Sequence, residues 1–236
     1  MKTIGLLGGM SWESTTSYYQ AINQGIKAQL GGLHSAQIRM HSLDFAEIAA
    51  LQQAGDWPKM TRILTAAALS VQDAGADGLL ICTNTMHKIA EDIADELAIP
   101  LLHIADATGA QLVDDGIKKV GLLGTRFTME QPFYADRIKD TFAVEVITPS
   151  EADRADVHRI IYDELCVGKI KSCSRDTYLK IIDRLVEQGA EAVILGCTEI
   201  ALLVDKSHTD VALYDTTQLH ANAAVKFALQ DELGHN

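Results

Sequence analysis

The 236-residue chain has only 20 Lys and Arg against 32 Asp and Glu, a formal net charge of −12. Affinity for nucleic acid rests on cations neutralising phosphates, so no nucleic-acid partner is expected. No apolar run approaches the ~18 residues that a bilayer-spanning helix needs, so no membrane partner is expected either. Met1-Lys2-Thr3-Ile4-Gly5 turns straight into an apolar strand without the basic region and cleavage site of an export signal, which gives a cytoplasmic expectation. The four cysteines, Cys82, Cys166, Cys173 and Cys197, show neither C-x-x-C spacing nor a histidine pair at ligand spacing. Neither a metal site nor a disulfide framework is expected, and reduced thiols are. Gly8-Gly9-Met10 lacks both the dinucleotide fingerprint and the Gly-Lys-Ser/Thr of a phosphate loop, so these glycines are read as letting a ligand approach the backbone. No Pro-, Gly- or Ser-rich linker appears near residue 115, which implies packed halves.

At 47% hydrophobic residues the chain is long and apolar enough for one large α/β domain or two small ones with real cores. Short apolar runs bounded by Gly, Pro or Asp alternate with segments of 3.6-residue period, the pattern of βα units building parallel sheets. Eight strands are expected, near residues 3–8, 36–41, 77–82, 100–104, 119–124, 143–147, 191–196 and 211–214. Asp56-Trp57-Pro58 reads as an N-cap with Pro in the first turn, and Gly75 stops that helix. Thr128-Met129-Glu130-Gln131 fits a capping box. Leu179, Ile182, Leu185 and Val186 draw one apolar stripe along the helix that ends at Gly189.

The same strand-to-helix corner occurs twice. Gly75-Ala76-Asp77-Gly78-Leu79-Leu80-Ile81-Cys82-Thr83-Asn84-Thr85 aligns without a gap onto Gly189-Ala190-Glu191-Ala192-Val193-Ile194-Leu195-Gly196-Cys197-Thr198-Glu199, at an offset of 114. Thr83 is the mate of Cys197. A second echo, Ile4-Gly5-Leu6-Leu7-Gly8 against Val120-Gly121-Leu122-Leu123-Gly124, runs at an offset of 116 and extends the duplication to half the chain. Two α/β lobes are therefore expected, 1–114 plus 215–236 and 115–214, each with a four-stranded parallel sheet flanked by helices and with one cleft between them. Ligands of open parallel sheets collect at the carboxyl ends of the strands, where helix starts offer unpaired N–H groups. Thr83-Asn84-Thr85 and Cys197-Thr198-Glu199 both lie there, with donors suited to a carboxylate. A helix start lowers a thiol's pKa, so Cys197 is read as a ready thiolate. Cys82 stands one residue out of phase with Thr83 and is read as core packing. His87 lies on the helical face of Thr83 and either tunes the site or only packs, while His103 is read as structural.

Taken together, Ile4-Gly5-Leu6-Leu7-Gly8-Gly9-Met10, Thr83-Asn84-Thr85-Met86-His87 and Gly196-Cys197-Thr198-Glu199 resemble the aspartate/glutamate racemase family across nearly the whole chain. The resemblance implies two similar lobes related by a pseudo-twofold with an amino acid between them, no pyridoxal phosphate or metal, and often a homodimer. It also implies two-base chemistry, in which one cysteine removes the α-proton from one face and the other delivers a proton to the opposite face. Cys197 matches the second cysteine, whereas the first normally opens a Cys-Asn-Thr motif that here reads Thr83-Asn84-Thr85. Thr83 or a water it holds takes that role in this reading.

Met10, Gln52, Thr83, Asn84, Thr85, Thr125, Thr128, Thr198 and Glu199 are the expected substrate contacts. Aspartate-preferring members bring an Arg after the second strand, but Leu43 to Gly55 holds no basic residue, and Gln52 offers a neutral hydrogen bond instead. Neutral amino acids join acidic ones as expected substrates. Glutamate racemases proper carry Asp-Ser-Gly after the first strand and a His where Glu199 stands, so the aspartate-type branch is favoured. Two alternatives stand beside the racemase: a one-cysteine lyase that decarboxylates malonate-type acids, and a non-catalytic amino-acid-binding relative.

Overall fold

The computed structural model describes residues 1–233. The chain forms two compact units, Met1–Ile104 with the chain from His220 onward, and Ala105–Leu219. The first contains β1 (Ile4–Gly8), α1 (Trp12–Leu30), β2 (Ile38–Ser42), α2 (Phe45–Ala54), α3 (Trp57–Asp73), β3 (Gly78–Ile81), a 3-10 turn (Thr85–Ile89) and α4 (Ala90–Ala94). The second runs through α5 (Ile104–Asp114), β4 (Lys119–Gly124), α6 (Arg126–Glu130), α7 (Pro132–Phe142), β5 (Glu145–Ile147) and α8 (Glu151–Asp163). A 3-10 turn (Leu165–Val167), α9 (Ser172–Glu187), β6 (Ala192–Gly196), α10 (Ile200–Leu203), β7 (Ala212–Asp215) and α11 (Thr216–Leu233) complete it, α11 belonging to the first unit from His220 on.

Both sheets are wholly parallel, ordered β2-β1-β3 and β5-β4-β6-β7. The shared order of second, first and third strand follows from the duplicated sequence. The fourth strand expected at 100–104 is reduced to a single bridge between Leu79 and Leu101, with Leu79 N–H on Pro100 O and Leu102 N–H on Leu79 O, both at 2.9 Å. Pro100 has no N–H to extend that ladder, and α5 begins three residues after Leu101. Strands β1 and β3 are buried on both faces, while the edge strand β2 is partly exposed. Ile4, Leu6, Leu80 and Cys82 pack with Tyr18, Ile22 and Ile26 on one side, and Leu7, Leu79 and Ile81 with Met60, Leu64 and Ala68 on the other. That alternation is the period-two signature of strands and sets which residues at the strand ends can leave the core.

The helix ends agree in part with the sequence reading. Asp56 caps α3 by accepting from Lys59 N–H at 3.1 Å, with Pro58 in the first turn. The capping box at Thr128 does not form: Thr125 is the N-cap of α6, Thr128 lies inside that helix, and Pro132 starts α7. In α9 the buried stripe is Tyr178, Ile181, Ile182 and Leu185, and Val186 is exposed. α5, assigned to the first lobe by sequence, belongs to the second unit from Ala105 on. Asp106 pairs with Arg137 at 2.6 Å, Thr108 accepts from Tyr134 at 3.2 Å, and the bare face of Gly109 seats the Phe142 ring.

Gly9 adopts φ +87°, and a Cβ there would overlap the backbone N and O of Leu43. Leu43 N–H is itself bound to Gly8 O at 3.0 Å, so the chain ends leaving β1 and β2 are pressed backbone to backbone. This corrects the sequence reading that the glycine pair makes room for a ligand. The expected result for Gly9→Ala is a loss of about 3 kcal/mol or more of unfolding free energy, from positive φ and overpacking together, measured by urea denaturation.

Candidate active site

At the carboxyl end of the first sheet, three hydrogen bonds hold the corner after β3. Cys82 N–H donates to Leu7 O and Thr83 N–H to Ile81 O, both at 2.9 Å, while Ser14 Oγ donates to Cys82 O at 3.0 Å. Cys82 points into the core beside Tyr18, and burial pushes its thiol far above the ordinary range, so it packs and does not ionise. Thr83 has the opposite phase and is half-buried, followed by buried Asn84 and Thr85. Met10 is buried in the cluster that holds Ile81 and Met86. Gln52 is 6% exposed, one turn beyond Ile48 on the buried face of α2.

His87 faces the Thr83 corner from within the 3-10 turn. Its Nδ1 lies 2.8 Å from Thr83 O, and its Nε2 accepts from Ile104 N–H at 3.2 Å. The second bond assigns the ring proton to Nδ1, which therefore donates to Thr83 O. Burial, then the neighbouring His103 and His220, hold the His87 pKa well below the usual imidazole value. Both ring nitrogens are committed, and the ring is neutral.

In the second unit the ends of β4 and β6 pair at Gly124 and Gly196, and Thr128 lies against both glycines. Thr125 and Cys197 follow those glycines directly. Thr125 Oγ1 and Thr128 Oγ1 are 3.2 Å apart, and Thr198 Oγ1 accepts from Thr217 Oγ1 at 3.3 Å. Thr216 Oγ1 donates to Leu195 O at 3.0 Å, which ties the start of α11 to the strand that presents Cys197. Ser14, Thr216 and Thr217 were missed by sequence reasoning, because they act from helix starts distant in the chain and carry no motif. Thr125, Thr128, Cys197, Thr198 and Glu199 thus belong to one unit, and Met10, Gln52, Thr83, Asn84 and Thr85 to the other.

The Cys197 thiol donates to Glu199 Oε2 at 2.9 Å. Its pKa is pushed well above the ordinary thiol value, first by burial, then by the Glu199 charge, Cys166 and the bond to Glu199. This overturns the reading of Cys197 as a ready thiolate. The backbone N–H of Glu199 does favour the thiolate, but α10 is a single turn and that one donor is outweighed by desolvation and a carboxylate. Glu199 is 8% exposed and stands where a proton leaving the sulfur would go. In Glu199→Gln the repulsive charge is gone, so the midpoint of Cys197 alkylation against pH is expected to move down by about one unit or more. Iodoacetamide labelling at a series of pH values, read by mass spectrometry of the Cys197 peptide, measures it.

Among the described residues no three His, Cys, Asp or Glu side chains gather as a metal site. None of the described helices is long and apolar enough to cross a membrane.

The chain is thus an α/β protein with two parallel sheets, whose duplicated strand ends carry a hydroxyl at Thr83 and a thiol at Cys197. The family model described as Asp/Glu/Hydantoin racemase matches residues 7–224, and the chain belongs to that family. A Yersinia pestis protein whose crystal structure is described as a candidate Asp/Glu racemase is 55% identical, with 98% of this chain and 100% of that one covered and a TM-score of 0.92. An aspartate racemase homologue from Pyrococcus horikoshii OT3 is 30% identical, covering 97% and 99%, with a TM-score of 0.85. The broad specificity amino-acid racemase RacX of Bacillus subtilis (strain 168) is 22% identical over 229 residues, 94% of this chain and 96% of RacX.

Proposed function

We propose that this chain is an amino acid racemase that interconverts L- and D-amino acids without pyridoxal phosphate or metal. The observation that carries the reading is the Cys197–Glu199 pair in a corner whose duplicated mate presents Thr83. Proton transfer at an α-carbon needs a base on one face and an acid on the other, and matched corners of a duplicated fold supply one group each. In this mechanism Cys197 passes its proton to Glu199 as the charged amino acid binds, and the thiolate removes the α-proton. Thr83, or a water held on its hydroxyl, delivers a proton to the opposite face; the alkoxide or hydroxide left behind regains a proton from solvent, and Glu199 gives its proton up to solvent as product leaves. Asn84, Thr85, Thr125, Thr128 and Thr198 hold the α-carboxylate and ammonium, with Met10 beside them. Gln52 meets the distal end, and its neutral amide supports acceptance of neutral side chains as well as aspartate and glutamate. The broad specificity named for RacX supports the same view.

One observation favours a second reading, a non-catalytic amino-acid-binding relative. The thiol of the structure is held well above its ordinary pKa and is a poor nucleophile in that state. Exchange of α-hydrogen for solvent deuterium decides between the two, run on both enantiomers of a panel of amino acids with chelator present and no pyridoxal phosphate. Deuterium incorporation with inversion is the expected result. Tight binding without exchange would establish the binder and end the racemase reading. Release of carbon dioxide from a substituted malonate would point to the lyase.

A further inference from the structure

His87, His103 and His220 form a buried cluster that no step of the mechanism uses. They are 3%, 7% and 0% exposed, and their rings stack edge to face, with centroids 4.5 Å apart for His87 and His103 and 5.7 Å for His87 and His220. His220 Nε2 lies 2.7 Å from Leu102 O, an acceptor, so it carries the proton, and its Nδ1 accepts from Tyr18 O–H at 2.8 Å. All four residues and Thr83 belong to one unit, and they tie α1, α11 and the segment after the Leu79–Leu101 bridge to the corner after β3. Histidine is a costly choice for a core position unless its hydrogen bonds are used, and His87 uses one on the backbone of Thr83 and the other on Ile104 N–H.

We propose that His87 is a positioning residue for Thr83, held in orientation by His103, His220 and Tyr18. The proposal rests on the racemase reading and deepens it. Thr83 N–H is bound to Ile81 O and Thr83 C=O to His87, so both peptide planes flanking its Cα are fixed and the direction of the Cα–Cβ bond with them. Only χ1 remains free. The Cys197 thiol has a carboxylate beside it to take its proton, whereas the lone Thr83 hydroxyl, on a β-branched side chain with few χ1 wells, depends on the main chain for its aim. The duplication supports the assignment. The position of His87 is occupied by Ala201 in the other copy, and that of Thr85 by Glu199. Each corner therefore carries one auxiliary group. The thiol copy has a proton acceptor at the side chain, and the hydroxyl copy has a clamp on the main chain. Burial and the two neighbouring rings keep His87 unprotonated, which preserves its acceptor toward Ile104 N–H.

The test separates the two faces of the reaction. In His87→Leu, which keeps bulk and removes both hydrogen bonds, inversion is expected to fall about 100-fold in kcat with KM within about twofold. α-Deuterium exchange with retention, the reaction Cys197 performs alone on one enantiomer, is expected to stay within about threefold of native. His87→Asn keeps an amide donor near the Nδ1 position and is expected to recover at least about tenfold of the lost inversion. A merely structural role would lower retention exchange and inversion together and give no rescue by Asn; either result overturns the proposal, as does unchanged inversion. Should His87→Leu fail to fold, Tyr18→Phe, which deletes only the hydroxyl on His220, carries the same comparison with a smaller one-sided loss of about threefold. Native protein that exchanges no α-hydrogen would instead bring down the racemase reading itself.

Discussion

Cys197→Ser is expected to lower racemisation by about 10³-fold, equally from either enantiomer, while amino-acid binding persists. General acid–base catalysis contributes roughly 10² to 10⁴ in rate, and a serine hydroxyl is a far poorer base than a thiol near neutral pH, so the variant would have hydroxyls alone at both faces. In the proposed mechanism the loss falls on both directions, because one group is the base for one enantiomer and the acid for the other. Isothermal titration with each enantiomer separates binding from chemistry, and chiral chromatography follows conversion. Retention of more than a tenth of native activity would remove Cys197 from the reaction. The Glu199 contact sharpens the expectation, because the half-buried thiol already has an acceptor for its proton at 2.9 Å and a serine there would hold that proton.

Thr83→Cys is the second large effect, and its sign is opposite: kcat is expected to rise about tenfold or more. A thiol, with an ordinary pKa of about 8.5, removes and returns protons near neutral pH far more readily than a hydroxyl. The substitution replaces a half-buried methyl and hydroxyl by one sulfur and leaves untouched the main-chain bonds to Ile81 and His87. Native protein has a second signature of the unequal pair. Enantiomers in water have equal free energy, so kcat/KM must match in both directions, yet kcat and KM separately are expected to differ between L and D, since one direction relies on the hydroxyl as base. In Thr83→Cys that difference should narrow. Progress curves from each enantiomer measure both quantities, and an unchanged or lower kcat in the variant would remove Thr83 as the second acid/base.

The repeat was legible because it is a pattern of residue types at fixed separation. Gly75 to Thr85 against Gly189 to Glu199 foretold two similar parallel sheets, and the phase difference between Cys82 and Thr83 foretold which of them stays in the core. Features that depend on distant partners were not legible. The strand near residue 100 was read from its apolar run, but Pro100 and the early start of α5 leave a single bridge. Thr128 was read as a helix cap from local spacing, and Thr125 takes that place.

What the sequence determined by itself is the duplication, the family and the unequal pair of Thr83 and Cys197, because strand periodicity and motif spacing are properties of neighbours along the chain. What only the tertiary structure decided is the state of those groups. Local reasoning made Cys197 a thiolate at a helix start, whereas burial and the Glu199 carboxylate hold its proton on sulfur. Local reasoning left His87 undecided between tuning and packing, and the bonds to Thr83 O and Ile104 N–H commit both of its nitrogens. Desolvation and hydrogen-bond partnership depend on which segments fold against a residue, and those segments lie far away in sequence.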